Sequence, residues 1–310
     1  MYRQQRYDEC LKEIRSTLKQ SPNSLPLLNY QAMAYSALKR DREAIMSYQK
    51  IIKKDSSLAG PYYNMGIILK RNGRTKEAID SYKKAISLKP DYVQAYNNLG
   101  ALYKANEKIE NAIEMFTKAK KIQPDHQNSH YNLALIKKEK GLSEEAIALF
   151  LKLLDLNPEH TEASLNAKQI CNELGIKFNN EGNYDLALKY FNILTVLAPS
   201  EGIGFFNLGN TYAELKDFKN AKLFFKKALR LEPKHEAAHS NLGDVYRRLG
   251  NFEKSSSCYD KAIKINPQNP KNFYNRAVTY KEAEKIVDAK ESYRKAILLD
   301  PKHIDAYHNL

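Results

Sequence analysis

Asparagine recurs at a fixed interval along this chain. Asn64, Asn98 and Asn132 stand 34 residues apart, and Asn207, Asn241, Asn275 and Asn309 repeat the same step. A carboxamide offers one carbonyl acceptor and two N–H donors. It therefore pairs both ways with a peptide group, reading backbone and ignoring side chains. Six residues beyond each amide stands a cation in most cases: Lys70, Lys104, Lys138, Arg247 and Lys281, with Arg71 and Arg248 beside two of them. Such a row favours acidic side chains in a ligand, although salt screens its long-range part.

Other chemistry-bearing residues are weaker candidates. His126/His130 and His235/His239 have the i,i+4 spacing that suits a metal on a helix. Both pairs straddle an expected helix start, and neither has a nearby cysteine or third histidine, so no metal and no cofactor is expected. Cys10, Cys171 and Cys258 form no CxxC pair, and Cys171 falls in an apolar stripe where a thiol is inert. The segment GIGFFNLG at 202–209 follows no strand, so it is not a dinucleotide loop. No P-loop, HExxH or GxSxG is present. The chain itself is expected not to be an enzyme.

The elements that must position the amides follow from a repeat. Proline recurs at Pro90, Pro124, Pro158, Pro199, Pro233, Pro267 and Pro301, every 34 residues except for one step of 41. Units beginning at Leu25, Ala59, Val93, Gln127, Gly202, Glu236 and Pro270 align the rest; positions within a unit are called slots 1–34. Slot 8 is Gly or Ala (Ala32, Gly66, Gly100, Ala134, Gly209, Gly243, Ala277). Slot 20 is Ala in all units but one, and slot 24 is always Tyr or Phe. Slots 4, 7, 8 and 11 form one helical stripe, and slots 20, 24 and 27 another. Glycine near slot 15 (Gly73, Gly141, Gly182, Gly250) makes the turn, and slot-32 proline stops the second helix. Each unit is a helix–turn–helix that cannot bury its apolar faces alone, and stacking gives an all-α solenoid. The amides occupy slot 6, on the face of the first helix opposite its buried stripe, and the cations slot 12.

One array over residues 1–310 is expected: a partial unit 1–24, units 25–58, 59–92, 93–126 and 127–160, a lengthened unit 161–201, units 202–235, 236–269 and 270–303, and a truncated start at 304–310. The lengthened unit has seven extra residues, close to two helical turns, and TEASLNAKQICNELGIKFNN reads as one long first helix carrying Asn166. The ends read as cut from a longer array, which leaves room for a catalytic domain beyond Leu310.

The charge of +14 over 310 residues favours acidic partners and says nothing about fold. No apolar run is long enough for a membrane span, no signal peptide or glycosylation sequon is evident, and the cytosol or nucleus is the expected compartment. Nucleic acid is not an expected partner, because the Tyr and Phe residues are assigned to the core.

The 34-residue period, the YNNLG and FFNLG segments, the slot-20 Ala, the slot-24 ring and the slot-32 Pro resemble the tetratricopeptide repeat over essentially the whole chain. The family's slot-4 Trp is absent, replaced by Tyr62, Tyr96, His130, Phe205, His239, Phe273 and Tyr307. The resemblance implies a right-handed superhelix whose first helices line a concave groove. The slot-6 amides Asn64, Asn98, Asn132, Asn207, Asn241 and Asn275 resemble the asparagine ladder of the superhelical arrays in the O-linked N-acetylglucosamine transferases and SPINDLY proteins. Neighbouring helices lie about 8–10 Å apart and an extended peptide rises about 3.3 Å per residue. One amide then meets roughly every third peptide residue. The expected function is a scaffold holding an extended, neutral to acidic peptide, with the amides projecting freely into the groove. The alternatives are a substrate-recruiting arm of a glycosyltransferase-like enzyme and a self-associating subunit of a large assembly. The two-carboxylate clamp of chaperone-binding members is matched only at Asn210, Asn241 and Lys271; Phe206 and Asn275 replace two of its cations.

Overall fold

The computed structural model describes the backbone of residues 2–310 and the side chains of residues 6–310. Among the described residues there are eighteen helices and no strand. The chain divides into two compact units, one ending at His160 and one spanning Thr161–Leu310. The first holds α1 (Tyr2–Gln20), then the pairs α2 (Leu25–Ala37) and α3 (Asp41–Lys54), α4 (Ala59–Arg71) and α5 (Thr75–Leu88), α6 (Val93–Ala105) and α7 (Ile109–Ile122), α8 (Gln127–Glu139) and α9 (Ser143–Leu156). The second holds α10 (Thr161–Asn180) and α11 (Tyr184–Leu197), α12 (Gly202–Glu214) and α13 (Phe218–Leu231), α14 (Glu236–Arg248) and α15 (Phe252–Ile265), α16 (Pro270–Glu282) and α17 (Ile286–Leu299), and α18 (Ile304–Asn309). The seven extra residues do form helix: α10 has 20 residues, where the other first helices have 13. The division between the compact units falls at the first residue of that long helix.

Local chemistry sets the ends of each helix. The turn inside every pair passes through a left-handed residue, with φ of 71°, 72°, 76° and 73° at Gly73, Gly141, Gly182 and Gly250. Before each slot-32 proline the chain leaves the helical region: Gln123 has φ −128° and ψ 94°, and Asp300 has φ −133° and ψ 92°. The proline ring disfavours helical geometry at the residue before it.

The core repeats unit by unit. The slot-24 rings Tyr48, Tyr82, Phe116, Phe150, Phe191, Phe225, Tyr259 and Tyr293 are all fully buried. Small residues at slot 8 make room for them: a Cβ added to Gly209 would sit 2.6 Å from the Phe225 ring. Four units add a second layer of rings. Tyr63 lies 4.7 Å from Tyr92, Tyr131 5.0 Å from His160, Phe206 4.5 Å from His235 and Tyr274 4.7 Å from His303, between ring centroids. These rings occupy slots 5 and 34 of every second unit, so the packing alternates with a period of two repeats.

Candidate peptide-binding face

Successive first helices touch one another: α4, α6 and α8 in the first compact unit, and α10, α12, α14 and α16 in the second. The slot-6 residues lie along this row. Asn64, Asn98, Asn132, Asn241 and Asn275 are half-buried, and Asn207 is buried, at 8% exposure.

The amides do not project freely. Most use one N–H to reach back to the preceding repeat. Asn98 Nδ2 donates to the Tyr63 hydroxyl at 3.1 Å, Asn132 to Asn97 Oδ1 at 3.4 Å, Asn207 to Asn172 Oδ1 at 2.8 Å and Asn241 to Asn210 Oδ1 at 2.8 Å. Asn64 meets the Tyr48 phenol of the preceding unit. The expectation of open amides is corrected here: a half-buried amide beside a neighbouring helix finds its nearest acceptor there. Among the described residues, no hydrogen bond engages the side-chain carbonyl of Asn132, Asn207 or Asn241.

The slot-12 cations are also tied across the step between repeats. Lys104 Nζ lies 2.7 Å from Glu139, and Arg247 donates to Glu282 at 2.7 Å. Lys281 donates to Asn309 Oδ1 at 2.8 Å. Lys138 is half-buried and Lys70 exposed. The row therefore carries less open positive charge than its residue types suggest. The slot-13 acids that neutralise it were missed in the sequence, although their signal is simple: each acid stands 35 residues after its cation.

The structure brings two of the expected residues into one recess. Asn241 and Arg247, with Asn210, Asp244 and Arg248, line a polar cavity of about 470 Å³ against α12 and α14. Asp244 accepts from the Tyr259 hydroxyl at 2.7 Å and from Arg247 at 3.5 Å. Burial opposes the Arg247 charge, but Glu282 and Asp244 outweigh it and hold its pKa above the ordinary value. The recess thus presents fixed, charged groups beside a ladder amide.

The remaining candidates lie inside the scaffold. His130 and His239 each donate Nε2–H to a proline carbonyl, Pro124 at 2.7 Å and Pro233 at 3.0 Å. His235 Nδ1 caps α14 by accepting from the Ala238 N–H at 3.2 Å. Burial pushes the Cys171 thiol up to about 12, far from a nucleophile's range. Among the described residues no group of three ligating side chains is placed to hold a metal, and no helix is long and apolar enough to cross a membrane.

Comparison with known proteins agrees with this architecture. Models of the TPR repeat match residues 68–107 and 243–283, and further tetratricopeptide repeat models match 30–57, 93–126, 127–160, 203–235 and 270–303. Together they span well over half of the chain, which belongs to the tetratricopeptide repeat proteins, a class of protein-interaction scaffolds. No catalytic family is among these matches. Among solved structures, the chain is similar to MamA, with 28% identity, a TM-score of 0.47, and coverage of 50% of this chain and 91% of that one. It is also similar to the APC/C hetero-tetramer Cut9–Hcn1, with 19% identity, a TM-score of 0.43, and coverage of 95% and 57%. A third is YrrB, a TPR protein with an unusual peptide-binding site, with 20% identity, a TM-score of 0.34, and coverage of 86% and 98%. No curated protein matches the sequence.

Proposed function

We propose that this scaffold holds an extended, neutral to acidic peptide against the row of first helices, using the outer edges of the slot-6 amides. The observation that carries this reading is the orientation of the amides. The bonds to Asn97 and Asn210 fix Asn132 and Asn241 and leave each with a carbonyl and a second N–H to offer. A preoriented amide loses little freedom on binding. Asn207 is too buried to share this role fully, so the grip rests on Asn64, Asn98 and Asn132 in the first compact unit and on Asn241 and Asn275 in the second. The exposed Lys70 adds preference for acidic side chains. Each compact unit offers its own stretch of this face, which would equally serve a substrate-recruiting arm of a larger enzyme or a subunit of an assembly.

The test begins with a peptide selected from a random library on the wild-type chain. Replacing Asn98, Asn132 and Asn241 together by Ala should weaken that peptide by about tenfold or more. Each change also removes a cross-repeat hydrogen bond, with a stability loss of about 1 kcal/mol. Unchanged affinity with reduced stability would mean that the amides only join the repeats.

A further inference from the structure

A second groove lies away from the amides, between the second helices of two repeats. It is formed by α13 and α15, with α14 as its floor, and encloses about 980 Å³. Its floor is apolar: Leu229, Leu242, Ile265 and Pro233, with Tyr246 and the buried Cys258. Its rims carry Lys226, Arg230, Lys234, Lys254, Lys261 and Lys264, and no acid lines it. All six cations are exposed, and none of them has an ion-pair partner among the described residues.

The repeat supplies an internal control. At the same six slots one repeat later stand Asp260, Lys264, Gln268, Asp288, Lys295 and Leu298. In the first compact unit the equivalent slots between α7 and α9 hold Thr117, Lys121, Asp125, Glu145, Lys152 and Asp155. In both of these grooves, then, the positions mix both signs. Only local departures from the repeat make this groove uniformly positive, and helix formation does not require them. Neighbouring acids are turned away as well. Glu232 accepts from the Gly202 N–H at 2.9 Å, and Asp260 pairs with Arg276 at 2.6 Å.

We infer that this groove binds an acidic protein segment carrying one or two apolar anchor residues. Six cations flanking a narrow apolar strip complement carboxylates flanking aliphatic side chains. The floor argues for a peptide over a nucleic acid. Single-stranded nucleic acids stack their bases on aromatic rings, whereas this floor is mainly aliphatic and its two aromatic rings, Tyr246 and His239, are only 8% and 9% exposed. The site is separate from the amide row, so the chain can hold two ligand segments at once.

The probe is a fluorescein-labelled Glu-rich peptide bearing two Leu residues four positions apart, with an all-Glu peptide and single-stranded poly(U) RNA as comparisons, in about 150 mM salt. The Leu-bearing peptide should bind about tenfold tighter than the all-Glu peptide and the RNA. Arg230→Glu with Lys261→Glu should abolish about nine-tenths of that affinity or more, whereas Lys121→Glu with Lys152→Glu, the same charge change at equivalent slots, should alter it less than about twofold. Ile265→Ser should weaken only the Leu-bearing peptide, by about threefold. If charge reversal lowers the helical signal, Arg230→Gln with Lys261→Gln replaces it, with the same direction expected. Equal losses in both charge-reversal pairs, no preference for the Leu-bearing peptide, or tighter binding of poly(U) would each overturn the proposal.

Discussion

Two tyrosines at the same slot show how far one hydroxyl's surroundings decide its worth. Tyr259 donates to Asp244 at 2.7 Å, whereas the buried Tyr293 hydroxyl meets no acceptor. A net hydrogen bond contributes about 1 kcal/mol, and an unmet buried polar group costs about 1–3 kcal/mol. Tyr259→Phe should therefore destabilise the chain by about 1–2 kcal/mol. Tyr293→Phe should be neutral or stabilising by up to about 1 kcal/mol. Urea denaturation of the two variants, side by side, checks the contrast. The ladder follows the same logic: an amide's function depends on which of its three hydrogen-bonding groups the neighbouring helix has already engaged.

At the scale of the helix pair, the turn is the informative feature. Eight turns pass through the left-handed region, but only four use glycine. Lys39, Glu107, Lys216 and Glu284 adopt φ of 57°, 60°, 59° and 59° instead. That conformation costs a residue with a Cβ about 1–2 kcal/mol. Glycine avoids this but loses more chain entropy on folding, about 0.4–1 kcal/mol. Each change to Gly should then raise stability by about 0.5–1 kcal/mol, measured as a higher melting temperature with unchanged helical signal. Glycine at slot 15 was readable as a turn. The four non-glycine turns were readable only from the period, because nothing in Lys or Glu signals a left-handed residue.

Across the whole molecule, buried phenols make stability depend on alkaline pH. Burial pushes Tyr48 and Tyr293 up to about 12, and Tyr82 and Tyr259 are displaced further in the same direction. In the unfolded chain these groups lose their protons near pH 10. The folded state keeps them, so the unfolded state binds fewer protons between pH 10 and 12, and stability falls as pH rises through that window. Their contribution is fully present below pH 10. Melting temperatures recorded from pH 8 to 12 should fall steeply above pH 10, and less steeply for the double variant Tyr48→Phe/Tyr293→Phe. An unchanged profile in that variant would assign the alkaline loss to other groups.

Sequence alone determined the helix pairs, their order and the core. Slot-24 rings, slot-20 alanines and slot-32 prolines recur because each unit solves the same packing problem, and a recurring solution is visible as a period. The long α10 was readable for the same reason, since seven residues add nearly two turns without rotating the buried face. Tertiary structure decided what the polar residues do. Asn98 and Asn132 reach Tyr63 and Asn97, and Lys104 reaches Glu139, across the step between repeats. Those pairings depend on side-chain distances between stacked helices, which no single-helix periodicity contains. The cationic groove between α13 and α15 became visible in the same way, once six residues from two repeats stood on facing rims.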